Sequence, residues 1–323
     1  MHNIAFLLHY ITKDGKLTDM EINNGYSKII TDETLRETIS HGSEEYPFRY
    51  YYEDIWLFDL HCIDWHWHPE IEFVLAEKGT AEFLVGSNKY TLNAGEAIFI
   101  NTQVIHRFES SESVIIPNMV FSPTLLAPEN SLIYRKYIKP VLTSAAECLI
   151  ISPKDEKQRT MLSTMRSVFA LQESEIVSEL KTVELIMKLW EQLYEIIRTQ
   201  YGSDSPKNSA QAQAQLQIMM QYIHKYYYRR ITLEDIAKSV SISKSSVLGI
   251  FKSYLHTSPI NYVLEYRLRR AAKLLSETEN SVSSIAQSTG FENVGYFCRK
   301  FKALFGVTPK EYRKKRLSLS DVL

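Results

Sequence analysis

The sequence predicts a multidomain chain: an N-terminal β-barrel with helices after it, then a C-terminal all-α domain with two helix-turn-helix motifs. Three observations predict this. Residues 48–121 read as short, strand-like runs separated by turn residues, residues 231–259 and 281–309 share one layout, and charge divides between the two parts. Residues 216–323 hold 18 Lys and Arg against 8 Asp and Glu, whereas residues 1–215 hold 19 against 30, within a formal charge of −1. A basic final third on an acidic body suits one module that meets phosphate and another that does not.

The totals exclude several classes. A length of 323 residues favours two domains, and 45% hydrophobic with 23% charged residues argues against disorder. No apolar run reaches the ~18 residues that span a bilayer. The start, MHNIAFLLHYITKDGK, lacks a basic n-region and a small-residue cleavage site, so no signal peptide is expected. Cys62, Cys148 and Cys298 are too scattered for a disulfide framework or a thiolate metal site. A cytoplasmic protein is expected.

Residues 1 to about 45 show little periodicity and read in part as an arm on the next domain. The run FRYYYEDIWLFDLHCI is aromatic and β-branched. IEFVLAEKGTAEFLVGSNKYTLNAGEAIFI then alternates, with turns at Lys78-Gly79, Gly86-Ser87-Asn88 and Asn93-Ala94-Gly95. Evenly spaced short strands over about 45–125 predict a barrel or double-sheet jelly roll. After Pro128 the period changes, and helices are expected within 131–148, 155–171 and 176–199. In the last, Leu180, Val183, Met187, Trp190, Tyr194 and Ile197 recur every three or four residues. The first domain is thus placed at 1–200. YGSDSPKNSAQAQAQ, 201–215, reads as a linker whose last part is able to join the helix at 216–228, which opens a final domain over 216–323.

The first helix-turn-helix unit is placed at 232–254. Thr232 caps its first helix with Asp235 at N3, and a second helix runs from about Lys244 to Tyr254. The second unit is placed at 281–305, capped by Ser281 or Ser283, with its second helix from about Asn293 to Phe305. Ile285, Ala286, Gly290 and Phe291 repeat Ile236, Ala237, Ser241 and Ile242, and Gly290 suits a turn needing positive φ. Phe251 and Phe301 fall at matched positions. Between the units, 260–277 carries an apolar stripe and a basic face of Arg267, Arg269, Arg270 and Lys273. That describes a stiff spacer, and two reading helices enter one face of DNA only when they sit ~34 Å apart.

Rim Lys and Arg neutralise phosphate, while the exposed face of each second helix meets base edges. The candidates are Lys244, Ser245, Leu248 and Lys252 in the first unit. In the second they are Glu292, Asn293, Val294, Gly295, Cys298, Arg299 and Lys302, with Arg267 and Arg270 on the spacer. Arg299 suits guanine, and Asn293 suits adenine or phosphate.

Residues from about 216 to 316 resemble the AraC/XylS family of bacterial transcription regulators, most closely in SVSSIAQSTGFENVGYFCRKFKALFGVTPKEYR. The resemblance implies seven helices, reading helices in adjacent major grooves, and regulation of nearby promoters, as activator or as repressor, with RNA polymerase a candidate contact. It puts Ile285, Ala286, Gly290, Phe291, Tyr296, Phe297, Phe301, Gly306, Pro309 and Tyr312 at structural positions and Arg299 at a basic reading position. The first unit departs from the family: Ser246-Val247-Leu248-Gly249 stands where it usually has Tyr-Leu and then Arg. A mid-helix Gly costs ~1 kcal/mol relative to Ala and offers no side chain to a base, so less specificity is expected there.

In the front domain, His66-Trp67-His68-Pro69-Glu70-Ile71-Glu72 has the spacing H-x-H-x3-E, with His106 downstream. Strand residues two apart face the same way, so His66 and His68 are expected to point inward with Glu72, and His106 to join from a neighbouring strand. Three imidazoles and a carboxylate suit a divalent metal such as Zn, Fe, Ni or Mn. The arrangement is similar to the cupin metal motif, and 55–121 resembles the cupin-like barrel (a double-stranded β-helix) found at the front of AraC-type regulators. Leu60 replaces the usual leading Gly. The favoured reading is a pocket that requires no metal and binds a small-molecule effector through Trp56, Trp65, His66, His68, Glu72 and His106, with sugars as the candidate class. Phe73, Phe83 and Phe99 read as core. Homodimerisation is expected, with the helix at 176–199 packing on the barrel, on a second copy, or on both. The alternatives are a metal-dependent cupin enzyme with a DNA-binding tail, for which no further acid–base group is evident, and a ligand-independent architectural DNA binder.

Overall fold

The computed structural model describes residues 29–174, 176–201 and 210–320. The expected arm before residue 29, and residues 202–209 of the expected linker, lie outside them. An N-terminal β-sandwich is followed by an all-α domain that holds both helix-turn-helix units.

The strands are β1 (Phe48–Asp54), β2 (Cys62–His66), β3 (Ile71–Leu75), β4 (Thr80–Val85), β5 (Asn88–Asn93), β6 (Ala97–Ile100), β7 (His106–Glu109), β8 (Ile115–Phe121) and β9 (Cys148–Ile151). They form a five-stranded sheet, β1-β8-β3-β6-β9, facing a four-stranded sheet, β2-β7-β4-β5. Strand β9 departs from the sequence reading, which ended a helix at 148. The expected helix forms over 132–142, π-type at Tyr134–Ile138 and ending in the short helix α1 (Lys139–Leu142), and Cys-Leu-Ile-Ile then pairs along β6. That run suits an edge where one more strand buries both faces.

The five-stranded sheet is covered on both sides, so β3 is buried at every residue. Ile71, Phe73 and Leu75 pack outward against α2 (Glu156–Gln172) and α3 (Glu179–Tyr201), while Val74 packs into the barrel with Phe83 and Phe108. Phe73 and Phe99 thus belong to the outer core and Phe83 to the barrel core. On α3 the buried stripe is Thr182, Ile186, Leu189, Trp190, Leu193 and Ile197. It is rotated from the expected one, and Leu180 is exposed. A wide apolar arc contains two overlapping sets at three-to-four spacing, and packing selects between them.

The final domain comprises α4 (Ala210–Tyr226), α5 (Leu233–Ser239), α6 (Lys244–Leu255), α7 (Pro259–Glu277), α8 (Val282–Ser288), α9 (Val294–Phe305) and α10 (Pro309–Ser320). Helix α4 starts at Ala210, so the end of the expected linker is helical. Thr232 and Asp235 form the expected capping box, and Ser281 caps α8. Ser241 and Gly290 occupy matched turns with φ 54° and 85°, and His256 and Gly306 end the two reading helices at φ 50° and 73°. Helix α7 belongs to both cores: Tyr262 and Val263 pack with Phe251 of the first unit, and Leu268, Ala271, Ala272 and Leu275 with Phe297 and Phe301 of the second.

Candidate nucleic-acid interface and barrel pocket

Both reading helices keep their outer faces open. Each must bury one stripe, and Val247, Phe251, Tyr254 and Leu255 on α6, with Phe297 and Phe301 on α9, do so. The opposite faces present Lys244, Ser245, Lys252 and Leu248 (45% exposed), and Gly295, Arg299 and Lys302, with Val294 and Cys298 half-buried beside them. Lys244 lies 3.2 Å from Glu234, an exposed pair that phosphate readily replaces. Asn293 caps α9, its Oδ1 accepting the Tyr296 N–H at 2.8 Å. That turns the carbonyl oxygen toward the helix end and leaves the side-chain amide to donate to phosphate. Tyr296, 40% exposed beneath Lys300, also faces outward; a family pattern that marks it as structural hides this.

The basic face of α7 is turned largely inward. Arg267 donates from Nε to the Tyr227 carbonyl (2.7 Å) and from Nη2 to the Arg229 carbonyl (2.6 Å). Arg270 lies over the Tyr227 ring, and its Nε is buried. Arg269 crosses to the barrel and meets Asp64 Oδ2 at 2.8 Å, while Arg107 meets Asp64 Oδ1 at 2.9 Å. The expected rim positions Arg267 and Arg270 are therefore engaged within the protein.

The barrel interior collects the expected quartet. His66, His68, Glu72 and His106 are all buried. Glu72 Oε2 lies 3.2 Å from His106 Nε2 and 3.5 Å from His68 Nε2. His66 Nδ1 donates to the Asp64 carbonyl (2.7 Å) and His106 Nδ1 to the Val104 carbonyl (2.8 Å). These bonds orient both rings with Nε2 free, as outer partners do for metal-ligating histidines. The ligand atoms of His66, His68 and His106 lie within 4.8 Å of one another. Buried His106 Nε2, His68 Nδ1 and Glu72 Oε2 lack hydrogen-bond partners. This donor set fits a divalent ion.

Burial pushes the His66 imidazole down to about 3, reinforced by neighbouring His106, so it is neutral as a ligand must be. Burial opposes ionisation of Glu72, but His106 and His68 outweigh it and hold the carboxyl well below its usual range. Burial raises Glu53 to about 8, despite a hydrogen bond from Asn118 (2.8 Å).

The cavity beside the quartet holds about 40 Å³. Its wall includes Glu37, His41, Arg49, Tyr51 and Glu53, none anticipated. His41 Nδ1 bonds Tyr51 Oη at 2.8 Å, and its Nε2 lies 3.3 Å from Glu37. A buried i, i+4 Glu/His pair was the available signal, in a segment read as an arm. The expected aromatic lining is not in this cavity. Trp56, 37% exposed, stacks on His61 at 3.5 Å. Trp65 packs with Leu84 and Ile105 against the first helix-turn-helix unit. For Trp65 the cause is a bulge in β2 between Ile63 and His66, which lets both of those residues face the barrel and leaves Trp65 between them facing out.

A helix-turn-helix domain family matches residues 236–315, and a cupin domain family matches 62–116. The chain is 27% identical over 294 residues to an uncharacterised HTH-type transcriptional regulator, YdeC, of Bacillus subtilis (strain 168), covering 88% of this chain and 98% of that one. It is 25% identical over 256 residues to the melibiose operon regulatory protein of Escherichia coli (strain K12), covering 77% and 83%. It is 28% identical over 139 residues to the raffinose operon transcriptional regulatory protein RafR of Pediococcus pentosaceus, covering 43% and 49%.

Proposed function

The chain belongs to the AraC family of helix-turn-helix transcription regulators with an N-terminal cupin domain, and from that premise we propose that it reads promoter DNA in response to a small carbohydrate. It is a DNA-binding regulator and not an enzyme. The observation that carries the DNA reading is the pair of open helix faces held on one shared helix, α7. Arg299, Lys302, Gly295 and Val294 on α9 are assigned to base and phosphate contact, with Lys244, Ser245, Leu248 and Lys252 on α6. Asn293 contacts phosphate. Leu248 and Gly249 offer no hydrogen bond to a base edge at the middle of α6, so α9 carries most of the sequence preference.

The effector site is the barrel pocket, whose carboxylates and imidazoles match the hydroxyl groups of a sugar. The melibiose and raffinose operon regulators among its relatives support that class. A cavity of about 40 Å³ admits one or two waters and not a sugar ring, so binding entails displacement of the wall formed by Glu37 and His41. A divalent ion, where present, would be held by His66, His68, His106 and Glu72 and would supply a Lewis-acidic anchor for a hydroxyl oxygen. Binding shifts the equilibrium between arrangements of barrel and reading domain, and so the DNA affinity. We place the protein in the cytoplasm; among the described residues no helix is long and apolar enough to cross a membrane. A homodimer with α3 contributing to its interface completes the proposal.

The test is a gel shift on DNA upstream of the protein's own gene, with and without melibiose or raffinose. Sequence-selective, salt-sensitive binding that Arg299→Ala weakens at least tenfold is expected, with affinity altered by one sugar. Binding indifferent to sequence would sink the promoter reading; indifference to a panel of mono- and oligosaccharides would sink the carbohydrate reading.

A further inference from the structure

The arginine at the centre of α7 joins three pieces of chain that belong to different units. Its Nε and Nη2 reach the carbonyls of Tyr227 and Arg229, in the turn between α4 and α5 of the first unit. Carbonyls at a helix end lack intrahelical partners, and a cation there also meets the negative end of the helix dipole. The turn of the second unit lies on the same spot. A Cβ added to Gly290 would sit 2.6 Å from the Tyr227 carbonyl oxygen and 2.9 Å from Arg267 Nε. Arg267 itself stands between Val263, which packs in the first core, and Leu268, which packs in the second.

We propose that Arg267 is a positioning residue that fixes the distance and rotational phase between reading helices α6 and α9, and that it makes no phosphate contact. Each core grips its own half of α7, which leaves twist about the seam as the soft coordinate. The guanidinium closes that coordinate, because its planar fork holds two carbonyls of the first unit while its edge supports the turn of the second. A lysine is a point charge on a flexible stem and does not reproduce the fork. The second unit contains an internal control. Arg313 on α10 donates from Nε to the Leu275 carbonyl (3.3 Å) and from Nη2 to the Asn280 carbonyl (2.6 Å). It likewise ties a helix end to the start of a helix-turn-helix, but every partner lies within one unit.

The experiment uses the full-length protein and the DNA segment upstream of its gene that it protects from nuclease. A second set of duplexes carries one to five base pairs inserted between the two protected contacts. Each insertion moves the contacts apart by about 3.4 Å and turns them by about a tenth of a helical turn. Wild type is expected to lose about tenfold or more in affinity on a single insertion. Arg267→Ala and Arg267→Lys are expected to bind the native spacing about tenfold more weakly, to lose less than about threefold on insertion, and to keep the wild-type salt slope. Arg313→Ala keeps the wild-type insertion penalty. The proposal is overturned if Arg267→Lys restores wild-type affinity, if Arg267→Ala lowers the salt slope by about one charge, or if either variant keeps the full insertion penalty. If Arg267→Ala fails to fold, Arg267→Lys decides alone, since it retains the charge and lacks the fork.

Discussion

The contact between barrel and reading domain predicts a measurable coupling between Asp64 and Arg269. Asp64 Oδ2 lies 2.8 Å from Arg269 Nη1, with side chains 43% and 23% exposed. Opposite charges about 4 Å apart at an effective dielectric near 20 attract by about 4 kcal/mol. The pair lines a cleft of about 700 Å³, so water competes and the gross attraction is heavily discounted. Arg107 also shares the carboxylate, at 2.9 Å. A net coupling of about 1 kcal/mol remains, near the top of the range for part-exposed pairs. The assay is a double-mutant cycle in urea unfolding with Asp64→Ala, Arg269→Ala and the double variant, run at low salt and at about 1 M salt. There the screening length falls to about 3 Å, and the coupling is expected to shrink. Additivity of the two single effects within about 0.3 kcal/mol at low salt would refute the reasoning, because the two domains would then not meet through this pair in solution.

Three further outcomes follow from the geometry. Gly290→Ala combines positive-φ strain with a Cβ 2.6 Å from a backbone oxygen, so denaturant melts should show a loss above about 2 kcal/mol, whereas Gly306→Ala, which meets nothing within 4 Å, should cost only about 1. Phe297→Ala, fully buried in the second core, should cost about 3–5 kcal/mol in the same measurement and weaken DNA binding with it. Glu53 keeps its proton in the folded barrel up to about 8, while the unfolded carboxyl ionises near its ordinary value. The unfolded state therefore binds fewer protons between those limits, and this group's stability contribution, full below the lower limit, is lost as pH rises through about 8. Above about pH 7 the buried His66 is neutral in both states and adds no slope, so unfolding titrations from there to pH 9 should show that decline, and Glu53→Gln should flatten it.

The second helix-turn-helix unit was legible in almost every detail because its signals are local. Ser281 caps its helix, Gly290 takes the positive φ its turn needs, and Phe297 and Phe301 recur at helical spacing, whereas Asn293, read as a DNA contact within the helix, is its cap. The barrel quartet was legible for a related reason: His66 and His68 lie on and just after β2, Glu72 follows four residues later on β3 of the facing sheet, and the partner of His66 in the neighbouring strand is His106. The pocket wall was not. Glu37 and His41 arrive from a segment with no periodicity of its own, and they come beside the quartet only because the chain at Leu35–Glu37 pairs with Trp67.

Periodicity and capping thus determined that this chain carries a sandwich of short strands, two reading helices and a shared spacer, since each follows from residues within one or two turns of one another. Tertiary structure decided which way side chains on an ambiguous surface point. Arg267, Arg269 and Arg270 read as one basic face, yet one binds carbonyls of its own domain, one reaches the barrel and one lies over a tyrosine. Trp65 leaves the pocket because a single bulge turns it toward the reading domain. A charge or an aromatic ring has a favourable partner in several directions, and only the assembled fold brings one of those partners within reach.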